Sequence, residues 1–124
     1  MGHYLTTTKS TSSFPSQYCK AVVDAIKIVC KRDEYNHCAW QQDVLNSTTI
    51  YQIAEIFGID LHSEIGTDLN QRIYFSFNEV YASCAFPSIA KAIAPFMSDG
   101  ITEGISEYGN WKVEFKDKQV TITS

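Results

Sequence analysis

What most narrows the folds open to this chain is its last stretch, Ile101 to Ser124. There a Gly109-Asn110 break and an Asp117-Lys118 turn separate three short runs of alternating apolar and polar residues. Alternation with a period of two marks strands that bury one face, and a two-residue loop fixes which residues oppose each other. With Asp117 and Lys118 as the loop, Phe115 faces Val120 and Val113 faces Ile122 on one side. On the other side Lys116 meets Gln119, Glu114 meets Thr121 and Lys112 meets Thr123. A slip of one residue would break both sets, so the pattern specifies its own register. Such a loop prefers positive φ at both central positions, which Asp tolerates and Lys does not favour.

Extending the register to the preceding strand requires an odd loop around Gly109 and Asn110 if Ile101 and Ile105 are to share the face of Trp111 and Val113. That register puts Glu103 on the apolar face. An inward charge that guards a sheet edge, or a bulge at Gly104 that turns Glu103 outward, is a commoner cause of such a misfit than a binding role.

Upstream, Phe14-Pro15-Ser16 opens a helix running to about Lys31, with Pro15 near the first turn, where its missing donor costs nothing. Tyr18, Cys19, Val22, Val23, Ala25, Ile26, Val29 and Cys30 fill more than half its circumference, so it is expected to lie between two other elements. Ala39 to Leu45 is a short helical segment. A further helix spans Thr49 to Phe57, with Thr49 and Gln52 as a capping box and Gly58 as its stop. Asp60 to Gln71 reads as a polar loop, and Arg72 to Phe77 as a strand with Ile73, Phe75 and Phe77 on one face. Pro87 to Met97 is a helix that Pro95 must kink or end. The expected fold is α+β: N-terminal helices on an antiparallel sheet of about four strands, ending in a β-meander. Residues 1–14, rich in Ser and Thr, read as a flexible tail, and residues 15–124 as a single globular domain. Met1-Gly2-His3 is compatible with a native or an appended start. Nothing in the opening residues resembles a secretory signal.

Composition bounds the function classes. An apolar fraction of 44% with 19% charged residues belongs to a water-soluble globular chain, and no apolar run reaches the roughly 20 residues of a membrane span. A net charge of −4 argues against direct nucleic-acid binding, which needs clustered Lys and Arg. The one basic cluster, Lys27, Lys31 and Arg32, ends a helix, where cations complement the dipole. Cys19, Cys30, Cys38 and Cys84 fit no common zinc spacing. Cys19 and Cys30 sit too far apart on one helix to bridge, so free thiols in a cytoplasmic protein are expected.

The six glycines form neither a phosphate loop nor a dinucleotide fingerprint. His37 and Cys38 are adjacent, and adjacent side chains are not expected to face each other as a catalytic dyad does. Around His62 stand Asp60, Glu64 and Asp68, but Gly66 is misplaced for a calcium loop and position 71 is Gln, so a solvated acidic loop is expected there. Asp99, Glu103 and Glu107, with Tyr108, form a second acidic group along the first strand of the meander, suited either to a basic partner or to an ordinary solvated margin. No catalytic residue, cofactor or metal is expected.

Ala94-Pro95-Phe96, Asp99-Gly100, Trp111, Phe115 and the closing Asp117-Lys118-Gln119-Val120 resemble the ending of short, uncharacterised bacterial and phage proteins, which more often carry Gly where this chain has Lys118. The resemblance implies a microbial or mobile-element origin and carries over no functional residue. The expectation is a non-enzymatic inhibitor that binds another protein with a basic surface, of the kind phages and mobile elements direct against host defence. Anti-CRISPR proteins are similar in size, acidity and lack of motifs. The alternatives are an immunity protein that neutralises a toxin, and a small enzyme or a ligand- or metal-binding domain built on the acidic loop around His62.

Overall fold

The structure, a computed structural model, describes residues 4–81 and 85–123. Met1-Gly2-His3 and Cys84 lie outside the described residues. In chain order the elements are β1 (Tyr4–Ser10), β2 (Ser13–Pro15), α1 (Cys19–Cys30), α2 (Gln41–Asn46), α3 (Ile50–Phe57), β3 (Ile59–Ile65), β4 (Gln71–Tyr81), α4 (Phe86–Ile93), β5 (Gly100–Ser106), β6 (Gly109–Lys116) and β7 (Gln119–Thr123). The fold is α+β. Strands β1, β5, β6 and β7 form an antiparallel sheet that ends in the C-terminal meander, and β2, β3 and β4 extend it through the long strand β4.

The largest departure from the sequence reading is at the N-terminus. Residues 4–14, expected to form part of a flexible tail, run through the sheet. β1 pairs with β5 on one side and with the second half of β4 on the other, and β2 continues along the first half of β4. At the break between them, the Thr11 N–H still donates to Ile101 O at 2.7 Å and the Phe75 N–H donates to Ser12 O at 3.3 Å. A Thr/Ser run suits this place physically, because Thr is β-branched and favours strands, and its hydroxyl can be satisfied inside. Ser12 and Thr102 are fully buried. The Thr102 hydroxyl donates to Ser12 Oγ at 2.6 Å and lies 2.9 Å from Ser10 Oγ, which donates to Phe75 O at 2.6 Å.

The helices follow the sequence closely, except that Phe14 and Pro15, expected to open the first helix, belong to β2. A turn of 3-10 helix at Ser16–Tyr18 leads into α1, which buries Val22, Val23, Ile26, Val29 and Cys30. α1 packs against α4 and against α2 and α3, as its wide apolar arc requires. The capping box of α3 is formed: Thr49 Oγ1 accepts from the Gln52 N–H at 3.2 Å, and Gln52 Oε1 accepts from the Thr49 N–H at 3.2 Å. Gly58 ends this helix with φ of 71°. Pro95 ends α4, after which the chain makes one 3-10 turn at Ala94–Phe96. Phe14, Ile73, Phe75, Val113 and Phe115 supply the sheet's side of the core, where Phe75 and Phe115 meet edge to face at 6.2 Å.

The β6–β7 hairpin has the register read from the sequence, from Lys112↔Thr123 to Lys116↔Gln119. Asp117 and Lys118 have φ of 54° and 66°. Lys118 therefore holds a conformation that suits Gly. Lys118→Gly is expected to stabilise the fold by about 0.5–1 kcal/mol, seen as a higher urea midpoint at unchanged slope.

The β5–β6 register differs from the reading. Ile101 opposes Glu114, Glu103 opposes Lys112 and Ile105 opposes Asn110, while Gly100, Thr102 and Gly104 oppose Phe115, Val113 and Trp111. The loop is the even pair Glu107-Tyr108, so Glu103 lies on the outer face. β5 is also an inner strand between β1 and β6, so Glu103 guards no edge. The reading failed because it assigned the large apolar residues inward. Here the inner positions of β5 are small, because β1 and the Trp111 ring come too close for anything larger: a Cβ at Gly104 would collide with the Thr6 carbonyl oxygen and sit 2.7 Å from Trp111 Cζ2.

Candidate functional site

The segment from Asp60 onward, expected as a polar loop, is strand β3, paired with β4 from Ile59↔Phe77 to Ile65↔Gln71. Ile59 and Leu61 pack on the core while Asp60, His62 and Glu64 face outward, an alternation that the charged outward residues mask in the sequence. The remaining loop is short. Gly66 N–H donates to Asn70 O at 2.8 Å, Leu69 N–H donates to Gly66 O at 2.9 Å, and Leu69 takes φ of 66°.

This pairing gathers one of the two acidic groups. Asp60, His62 and Glu64 stand in a row on the outer face of β3, opposite Ser76, Tyr74 and Arg72 of β4. The His62 ring stacks on Tyr74 with centroids 5.4 Å apart and planes 16° from parallel. His62 Nε2 lies 3.2 Å from Glu64 Oε1. Asp68 sits at the hairpin tip, where its carboxylate accepts from the Arg72 guanidinium and from the Asn70 N–H. The Arg72 hydrogen bond, with the Asn70 N–H second, holds the Asp68 carboxyl below its ordinary value. The clamp is thus intact above the ordinary carboxylate range and is lost as pH falls through the lowered value. Arg72 also donates to Ser98 Oγ, which ties the hairpin tip to the segment leading into β5.

The second acidic group is not brought together. Asp99 lies just before β5 and Glu107 just after it, about 25 Å apart by the rise of a strand. Asp99 Oδ1 accepts from the Asp117 N–H at 3.0 Å and so braces the β6–β7 turn. Glu103 lies between them on the outer face, in register with Lys9 of β1 on one side and Lys112 of β6 on the other. A shallow groove over this region is lined by Thr8, Glu103, Ile105, Asn110, Lys112 and Thr123. Glu107 and Tyr108 form the β5–β6 turn, with Tyr108 76% exposed beside Ile105, itself 51% exposed.

No group of three or more His, Cys, Asp or Glu side chains among the described residues is placed to hold a metal ion. His37 and Cys38 do reach each other, contrary to the sequence expectation: Cys38 Sγ lies 3.7 Å from His37 Nε2. Cys19 and Cys30 are free thiols. Burial, with the neighbouring Cys38 second, pushes the Cys30 thiol up to about 11, which makes it unreactive near neutral pH. Among the described residues no helix is long and apolar enough to cross a membrane. No protein-family model matches the chain, and comparisons with curated proteins and with solved structures find no match.

Proposed function

We propose that the chain is a protein-binding inhibitor that engages a basic surface on its partner through the outer face of the β3–β4 hairpin. The observation that supports this reading is the exposed row of Asp60, His62 and Glu64, backed by the ring of Tyr74. Three carboxylates, those of Asp60, Glu64 and Asp68, lie here against one guanidinium, and a rigid sheet presents them at fixed spacing. An acidic face of this kind steers a basic partner into register. Glu107 and Tyr108, at the exposed β5–β6 turn, offer a second contact of the same chemistry. Glu103, between Lys9 and Lys112, adds less net charge.

The partner class we favour is a component of a host defence system, with the chain as the inhibitor of a phage or mobile element. An immunity protein for a basic toxin uses the same surface chemistry. Affinity capture from the native host, with and without phage infection, followed by mass spectrometry, separates them. Recovery of a nuclease effector complex supports the inhibitor, and recovery of a toxin supports the immunity protein. With the recovered partner in hand, Asp60→Lys with Glu64→Lys is expected to weaken binding by about a hundredfold, and Glu107→Lys by about tenfold. Both variants are expected to melt as the parent does, and unchanged affinity in the first would remove the hairpin face from consideration.

A further inference from the structure

We infer that β7 pairs with β7 of a second copy of the chain across a two-fold axis, making one continuous sheet through the dimer. β7 is an end strand of the sheet, with only β6 beside it among the described residues. In a two-residue hairpin the residues flanking the loop exchange both hydrogen bonds, so Lys116 and Gln119 are a bonded pair and the pattern then alternates. The N–H and C=O groups of Gln119, Thr121 and Thr123 therefore serve β6. Those of Val120 and Ile122 point out of the sheet edge.

This edge lacks the usual guards. Its sequence, Gln-Val-Thr-Ile-Thr, holds no charge, no proline and no glycine, and three of its five residues are Thr or Ile. Natural edges are blunted by charge, proline or bulges because an open edge recruits another strand. Ile122 is also 42% exposed although α4 packs against β7.

The strand is complementary to itself. Set antiparallel about Thr121, Val120 opposes Ile122 of the other copy on the core side, and its groups that point out of the edge exchange hydrogen bonds there. Thr121 opposes its own equivalent on the outer side, and Gln119 opposes Thr123. No like charges meet. Two other strands have a single partner: β2 is three residues long and ends in Pro15, and β3 fails the same test, because antiparallel pairing about His62 would set Asp60 directly against Glu64. One edge is thus guarded against self-pairing and the other is not, which gives a closed dimer instead of a filament.

Sedimentation equilibrium of the full chain from micromolar to millimolar concentration is expected to show a monomer–dimer equilibrium. Thr121→Lys places two ammonium groups face to face across the axis while giving each copy a cross-strand partner in Glu114, so the monomer keeps its fold and the dimer dissociation constant rises at least about tenfold. Thr121→Cys, oxidised and digested, is expected to give a disulfide joining the two position-121 peptides, because directly opposed non-bonded pairs bring Cα atoms within disulfide range. A chain that stays monomeric to millimolar concentration, a dimer as tight in Thr121→Lys as in the parent, or no linked position-121 peptide would each overturn the inference.

Discussion

Removal of residues 1–12 is expected to abolish cooperative folding. A Ser/Thr-rich tail could be cut without consequence, but β1 lies between β4 and β5 and supplies one side of the ladder to each. Without it, both strands lose paired N–H and C=O groups along an interior seam. A buried polar group left without a partner costs about 1–3 kcal/mol, so a handful of orphaned groups exceeds the 5–15 kcal/mol that holds a domain of this size together. The cut also removes Ser10 and Ser12 from around Thr102, leaving a fully buried hydroxyl without either neighbour. Circular dichroism through a thermal ramp checks this. The parent is expected to melt in one sharp transition and the shortened chain to show none. A truncated chain with an undiminished transition would sink the assignment of β1 to the interior. Removing residues 1–3 alone is the control that leaves β1 whole.

The same strand shows where sequence reasoning reached its limit. The hairpin of Lys112 to Thr123 was legible because its signal is local: a turn of fixed length and alternation on either side determine the register without help from the rest of the chain. The helix at Thr49 was legible for the same reason, since a capping box and a stop glycine act within one turn. β1 was not, because after Tyr4 and Leu5 the strand is only Thr, Lys and Ser, with no run of apolar alternation to announce it. Its place is set by partners nearly 100 residues away, and its inward hydroxyls are satisfied by Phe75 O and Thr102. β3 was hidden by its charged outer face, which also hid that Asp60, His62 and Glu64 share one side of the hairpin. The acidic group along β5 seemed coherent only because the sequence spacing is short; an extended strand carries Asp99 and Glu107 to opposite ends.

Gly104→Ala is expected to destabilise the fold by at least about 3 kcal/mol, the range in which overpacking forces backbone to move. The added methyl would meet the Thr6 carbonyl oxygen in the neighbouring strand, and it would lie 2.9 Å from the Thr6 carbonyl carbon and 2.7 Å from Trp111 Cζ2. Neither neighbour can give way cheaply. Thr6 belongs to the ladder with β4 and β5, and the Trp111 indole is held by its N–H donating to Ile105 O at 3.0 Å. Gly66 provides the contrast: a methyl there meets only side-chain atoms of Arg72 and Asp68, which can move, so Gly66→Ala is expected to loosen the hairpin-tip clamp and to lower the urea midpoint far less than Gly104→Ala does. Urea unfolding of the two variants beside the parent measures the difference directly. If Trp111→Leu restored Gly104→Ala to the parent midpoint, the backbone contact with Thr6 would carry none of the cost and the close approach of β1 to β5 would be wrong. If the penalty persists, the position demands glycine because of β1, and that demand is what turns Ile101, Glu103 and Ile105 outward to the surface.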